Sequence, residues 1–222
     1  LALNTRSPTL WGLWILEEKY RMAEWVMSHL KDKFEVRRQV AHALIGVLIL
    51  TLYYLNLISP GVVLTVLVAG GGLCVMAGLW RVPGLDRVLA YFERPHAARA
   101  FPGSGSFFMV LGCLLAMLLF EKNVALAAIA IMALGDSVTH VFGRYFGEVK
   151  LPYNPRKTLD GALMGVMAGT LGAFFFVPFH VALLASLAAI FVETLDLRVG
   201  FVELDDNVLV PLVAGGVMGA FL

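Results

Sequence analysis

VALAAIAIMALGDSVTHVFG, residues Val124–Gly143, is the stretch that decides how this chain is read. It is apolar from Val124 to Gly135 and then admits Asp136 and His140 within the same run. About 20 mostly apolar residues is the length that crosses the hydrocarbon core of a bilayer as a helix. An ionisable side chain inside such a segment is expensive and marks function by default. One stretch thus carries both the fold class and the first sign of chemistry.

The rest of the chain agrees with it. Hydrophobic residues make up 59% and charged residues 15% of the 222, against roughly 45–50% and 25% in ordinary soluble domains. A soluble chain of this size could not bury so much apolar surface and still cover itself with polar groups. The expected class is all-α: a polytopic integral membrane protein of about seven transmembrane helices. The other six spans are placed at about Gln39–Ile58, Gly61–Trp80, Ser104–Phe120, Leu159–Phe179, His180–Leu195 and Asn207–Leu222. The last two are short, which suits little tilt or a partly re-entrant path. Upstream, Leu10–Lys33 mixes Trp11, Trp14 and Trp25 with Glu17, Glu18, Lys31 and Lys33. It reads as an amphipathic helix lying on the membrane surface, or as a soluble cap on the bundle. Residues 1–34 are therefore set apart from a transmembrane unit at 35–222. Leu1–Phe34 carries charges throughout and has no apolar h-region, so no cleavable signal peptide is expected there. The net charge of +1 gives no basis for nucleic-acid binding, and Cys74 and Cys113, each in an apolar run, read as packing residues.

Basic residues set the expected orientation. Lys31, Lys33, Arg37 and Arg38 precede the first span, Arg81, Arg87, Arg94 and Arg99 follow the second, and Arg144, Lys150, Arg156 and Lys157 follow the fourth. A seven-span chain puts all three groups on one side. The N-terminus is expected in the cytoplasm and the C-terminus outside.

The ionisable groups gather at that same face. Asp136, Thr139, His140, Gly143 and Gly147 share one helical face. The glycines permit close approach of a phosphate chain or form a small-residue packing seam. Arg156, Lys157, Thr158, Asp160 and Gly161 put cations and a hydroxyl at a helix start, where free backbone N–H groups favour phosphate; the same cations also serve as a positive-inside anchor. Glu193 and Asp196 lie three residues apart, and Asp205, Asp206 and Asn207 begin the last span. Oxygen ligands of this kind suit Mg²⁺ with substrate phosphates; one of the aspartates is also a natural N-cap. Arg38, His42, His140 and Asn207 are further candidates, the histidines either as bases or as hydrogen-bonded structural residues. Ser104 and Ser106 either offer phosphate donors or start a helix.

The run from Asp136 to Gly161 resembles the nucleotide-binding signature of the CTP-dependent polyprenol kinases. That family embraces dolichol, diacylglycerol and phytol or farnesol kinases and is distantly related to phosphatidate cytidylyltransferases. Its spacing is matched by Asp136, Thr139, Gly143, Gly147, eight residues, Arg156-Lys157-Thr158 and Asp160-Gly161, with Thr139, Arg156 and Asp160 standing where the family has Ala, Lys and Glu. Arg37, Arg38 and His42 resemble its first span, and Glu193, Asp206-Asn207 and Pro211 its closing signature.

The resemblance implies transfer of the γ-phosphoryl of CTP to the hydroxyl of a membrane lipid. Gly143, Arg144, Gly147, Arg156, Lys157, Thr158 and Gly161 would hold the nucleotide. Asp136, Glu193 and Asp206 would hold Mg²⁺, and Asp160 or Asp206 would accept the hydroxyl proton. A cytidylyltransferase releasing pyrophosphate is the near alternative. A transporter is the alternative of another class, with its charges expected at the bilayer midplane.

Overall fold

Alanine at 125, 127, 128, 130 and 133 gives the fourth expected span high helix propensity and a smooth surface on which neighbours pack closely. The computed structural model describes residues 34–79, 102–199 and 202–222. The helix expected at Leu10–Lys33 and the arginines at 81, 87, 94 and 99 lie outside the described residues.

Among the described residues the chain forms seven helices: α1 (Phe34–Tyr54), α2 (Pro60–Leu79), α3 (Ser104–Leu119), α4 (Lys122–Tyr145), α5 (Leu159–Ala173), α6 (Phe179–Thr194) and α7 (Asp206–Phe221). A minimal antiparallel pair, β1 (Arg198–Val199) and β2 (Val202–Glu203), joins α6 to α7. By length and composition α1, α2 and α4 can cross a membrane, while the other four are apolar helices of 15 or 16 residues. At 1.5 Å per residue these reach only about 24 Å.

Three boundaries differ from expectation by more than two residues: the first helix begins at Phe34 rather than Gln39, and two helices end early. The first helix ends at Tyr54 rather than Ile58, because Asn56 takes a left-handed conformation (φ 58°) before Ser59-Pro60. The fifth ends at Ala173 rather than Phe179: Phe176 and Val177 both donate to the Ala173 carbonyl in a closing turn ahead of Pro178.

Helix α4 is the axis of the bundle, with 78% of its apolar stretch buried, against 17% for α1 and 11% for α2. It packs on α3, α5, α6 and α7. Met109, Cys113, Ile129, Met132, Val181 and Met218 form part of one continuous core. The α4–α5 crossing is a glycine seam: a Cβ on Gly165 would lie 2.8 Å from the Gly135 carbonyl and overlap Thr139 Oγ1, and one on Gly161 would lie 2.7 Å from the Thr139 carbonyl. Gly143 of the glycine stripe joins the same crossing, where an added Cβ would lie 2.8 Å from Thr158 Oγ1. A second close approach pins α7. Pro211 has no N–H to offer the Asn207 carbonyl four residues back, and that carbonyl rests against Gly112 of α3, where a Cβ would collide with it.

Gly165→Ala should therefore lower stability by about 1–3 kcal/mol, the usual cost of overpacking. Gly216→Ala, where an added Cβ meets nothing within 4 Å, should change it by no more than about 0.5 kcal/mol. Thermal unfolding of both variants in the same detergent checks the contrast.

Candidate active site

The last turn and a half of the N-terminal part of α4, Ile131–Asp136, is π-helical. Such wider turns recur at functional sites because they displace a side chain from the regular helical stripe. Here the segment ends on Asp136, which is 5% exposed. Two histidines flank its carboxylate: His42 Nε2 of α1 at 3.8 Å from Oδ2, and His140 Nε2, one turn on, at 3.4 Å from Oδ1. His140 Nε2 also lies 3.3 Å from Glu193 Oε1 and 3.4 Å from Lys157 Nζ. Lys157 Nζ in turn contacts Glu193 Oε1 directly. Glu193, the penultimate residue of α6, has no solvent exposure.

Lys157 lies in the loop between α4 and α5. Its burial opposes the charge, but the carboxylates of Glu193, Asp136 and Asp206 outweigh that and hold it above the ordinary lysine value. A raised lysine stabilises the fold fully below its unfolded value, and that contribution is lost only as pH rises through the folded one.

Asp136, His140 and Glu193 each offer one ligand atom, all within 4.8 Å of one another. Asp136 Oδ1 and Glu193 Oε2 are buried and accept no hydrogen bond. Two carboxylates with spare oxygens fit a hard divalent cation such as Mg²⁺; the imidazole is the less typical partner for it.

A cavity of about 550 Å³ opens beside this cluster. Gly143, Arg144, Lys150, Arg156, Lys157 and Thr158 line it, opposed by Glu35, Asp196 and Asp206. Asp136 and Glu193 lie behind His140 and Lys157. Asp205 caps α7 by accepting from Asn207 N at 3.0 Å, and its burial pushes the carboxyl up against that bond. Asp206 is left to face the cavity, within electrostatic reach of Lys157, Asp136 and Glu193. Arg38 pairs with Glu35 at 2.6 Å.

Several expected site residues turn out to have structural partners. Asp160 Oδ2 accepts from Glu148 N (2.8 Å) and Val149 N (2.9 Å) and so holds the loop against the start of α5; it does not line the cavity. The α5 N-terminus has fewer free donors than expected. Leu159 N bonds the Val149 carbonyl, and Gly161 N bonds the Thr158 hydroxyl that caps the helix. Gly147 and Gly161 serve the packing against Thr158 and Gly143, and the Asn207 backbone serves the contact with Gly112.

Sequence reasoning passed over Glu35, Gln39 and Asn154. Gln39 Nε2 donates to Glu35 Oε1 at 3.3 Å, and the Gln39 carbonyl accepts from Ser137 Oγ at 3.3 Å. Asn154 was legible as part of Leu151-Pro152-Tyr153-Asn154-Pro155, since proline suits the second position of a turn and asparagine closes turns through its side chain.

No family model and no solved structure matches the chain. Several plant proteins are similar to it. It is 29% identical to phytol kinase 1, chloroplastic, of Arabidopsis thaliana over 135 residues, covering 53% of this chain and 43% of that protein. It is 30% identical to probable phytol kinase 1, chloroplastic, of Glycine max over 125 residues, covering 49% and 40%. It is 29% identical to farnesol kinase, chloroplastic, of Arabidopsis thaliana over 126 residues, covering 50% and 40%. The chain thus spans about two-fifths of the length of these curated relatives.

Removing one member of a buried ion pair strands the other and costs about 3–5 kcal/mol. Lys157→Met and Glu193→Gln should each destabilise the protein, and the double variant should lose clearly less than the two losses added. A double-mutant cycle from unfolding in detergent measures the coupling; simple additivity would show that the two groups do not support each other.

Proposed function

We propose that this chain carries the active site of a lipid-alcohol kinase, which transfers the γ-phosphoryl of CTP to the hydroxyl of a membrane prenol of the phytol or farnesol kind. The observation that carries this reading is the position of Lys157. It bridges a buried acidic cluster on one side and, on the other, a cavity rimmed by Arg144, Lys150 and Arg156. The names of the similar plant proteins support the lipid alcohol as acceptor, and the Asp136–Gly161 spacing supports CTP as donor.

Phosphoryl transfer asks chiefly for positioning and for neutralisation of charge. Arg144, Lys150 and Arg156 neutralise the phosphates at the cavity wall, and Lys157 meets the transferring group from within. Asp136 and Glu193 would hold Mg²⁺, with Asp206 at the rim. An Mg²⁺ held by these residues would supply positive charge to offset that of the phosphates. Asp206 faces the cavity while Asp160 is engaged with the loop backbone, so Asp206 is the carboxylate assigned to accept the hydroxyl proton. Asp136 keeps His42 and His140 in place. The acceptor arrives from the bilayer with its hydroxyl at the depth of the helix ends, along flanks such as that of α5, where Leu163, Met167 and Leu171 are exposed.

In this reading all seven helices cross the membrane, the shorter four with help from local thinning of the bilayer. The site faces the cytoplasm, with the N-terminus inside and the C-terminus outside. Reporter fusions at Phe101 and Leu222 should report opposite sides; the same side for both would remove the seven-span topology.

Incubation with γ-labelled CTP and a panel of phytol, farnesol, dolichol and diacylglycerol should yield a labelled phospholipid and CDP. In a parallel incubation with phosphatidate, release of pyrophosphate with formation of a CDP-lipid would instead establish a cytidylyltransferase, and no transfer to any alcohol would end the kinase reading. Asp136→Asn should lower kcat/KM at least about 100-fold, which corresponds to roughly 2.7 kcal/mol of transition-state stabilisation.

A further inference from the structure

We infer that Asn154 is a positioning residue: it fastens the loop bearing Arg156 and Lys157 to the end of α6 bearing Glu193, and thereby sets where the Lys157 ammonium sits. The catalytic consequence rests on the kinase reading; the structural one does not.

Asn154 is 7% exposed, and both of its side-chain functions are used. Its Nδ2 donates to the Thr194 carbonyl at 2.9 Å and to Asp196 Oδ2 at 2.8 Å. Its Oδ1 accepts from Arg156 N at 3.2 Å, and its backbone carbonyl accepts from Lys157 N at 3.1 Å. Thr194 is the residue after Glu193, and Lys157 is three residues after Asn154. One side chain therefore ties down both backbones that carry the Lys157–Glu193 pair.

The Thr194 carbonyl belongs to the last turn of α6, where no helical N–H remains to satisfy it. Asn154 supplies that donor. The two turns that place it, Leu151–Asn154 and Asn154–Lys157, each close with a backbone bond (3.2 and 3.1 Å) and each carry proline second. Tyr153 adds a second tie, its hydroxyl lying 3.0 Å from Thr194 Oγ1.

The residue type is specific. Aspartate at 154 keeps an acceptor for Arg156 N but has no donor for Thr194 or Asp196, and it sets two carboxylates face to face. A lysine side chain is long and rotamer-rich, so a backbone anchored close by is what makes its terminal position definite. Small misplacements of a catalytic group cost rate steeply.

The test uses the full chain in detergent, with Asn154→Ala, Asn154→Asp, and Asn154→Asp combined with Asp196→Asn, which reverses donor and acceptor across the pair. The first readout is the rate of Lys157 acetylation by acetic anhydride, followed by peptide mass spectrometry. Lys122, bonded to Asn56 Oδ1 and the Tyr54 carbonyl at the far end of α4, is the internal reference. Asn154→Ala should speed labelling of Lys157 at least about fivefold relative to Lys122, by the exposure its release brings. The second readout is kinetic: kcat with CTP should fall about tenfold or more while KM for the lipid alcohol stays within about twofold, the signature of lost transition-state positioning. Asn154→Asp should be as poor as Asn154→Ala or poorer, and adding Asp196→Asn should recover part of both readouts. Unchanged Lys157 labelling in Asn154→Ala, or a double variant no better than Asn154→Asp, overturns the inference. Faster labelling with unaltered kcat overturns its catalytic half. If the wild-type protein transfers no phosphoryl group, the kinase reading fails alone and the labelling still decides the anchor. If Asn154→Ala unfolds, Lys122 labelling rises with it, and recovery by the reversed pair becomes the deciding result.

Discussion

A carboxylate with no solvent exposure at the end of an apolar helix persists as an ion only if a cation reaches it. Glu193 is that carboxylate and Lys157 that cation. Removing both charges from water costs several kcal/mol each after relaxation, so the pair is retained at the expense of stability and is held by everything around it. His140 stands between Glu193 and Asp136 and links the two acids. The glycine seam between α4 and α5 brings the loop carrying Lys157 near enough to reach α6, and Asn154 fixes that loop to the α6 terminus.

The helices were legible because their cause is local. Runs of apolar residues, alanine-rich in α4, specify helices whatever surrounds them, and the expected starts of α2, α3, α5, α6 and α7 fall within a residue of those observed. The acidic and basic residues of the site were legible too, since an ionisable group in such a run needs a reason. Which residues serve as partners was not. Asp160 looks catalytic in sequence because it follows a cationic pair, yet its oxygen is occupied by two amides twelve and eleven residues back. Gly161 looks like a phosphate contact, yet it is pressed on the Thr139 carbonyl. Hydrogen bonds across loops and close backbone crossings depend on tertiary placement, which has no period for a sequence to display. Asn154 is the same case in reverse: turn chemistry announced its conformation, and only α6 shows what it holds.

The asymmetry of the bundle follows from the same placement. α1 and α2 are buried least and α4 most, so the peripheral helices present their apolar surface outward while the central one carries Asp136 and His140 inward. A helix hydrophobic on nearly every side belongs in lipid or in a large core.

The depth of the charges bears on what kind of protein this is. Glu193 and Asp206 sit at helix ends, and Lys157 lies in a loop. Asp136 is deeper, nine residues before the end of α4, or about 14 Å along its axis. Coupling sites of transporters lie near the bilayer midplane, commonly between interrupted helices whose broken ends bind the ion. Here the helix that carries Asp136 continues unbroken through its π-helical segment, and the acids lead outward in steps, from Asp136 to Glu193 and then to Asp206 at the cavity. Cations face them from the loop side. A polyanion entering the cavity meets Arg144, Lys150, Arg156 and Lys157 together with the carboxylates of Glu35, Asp196 and Asp206, a mixed lining suited to a metal-bound phosphate chain. An apolar alcohol held in the bilayer would meet it at the helix ends, where its hydroxyl can stay hydrated until transfer. The proposed lipid kinase would need such an arrangement, because its two substrates never share a solvent.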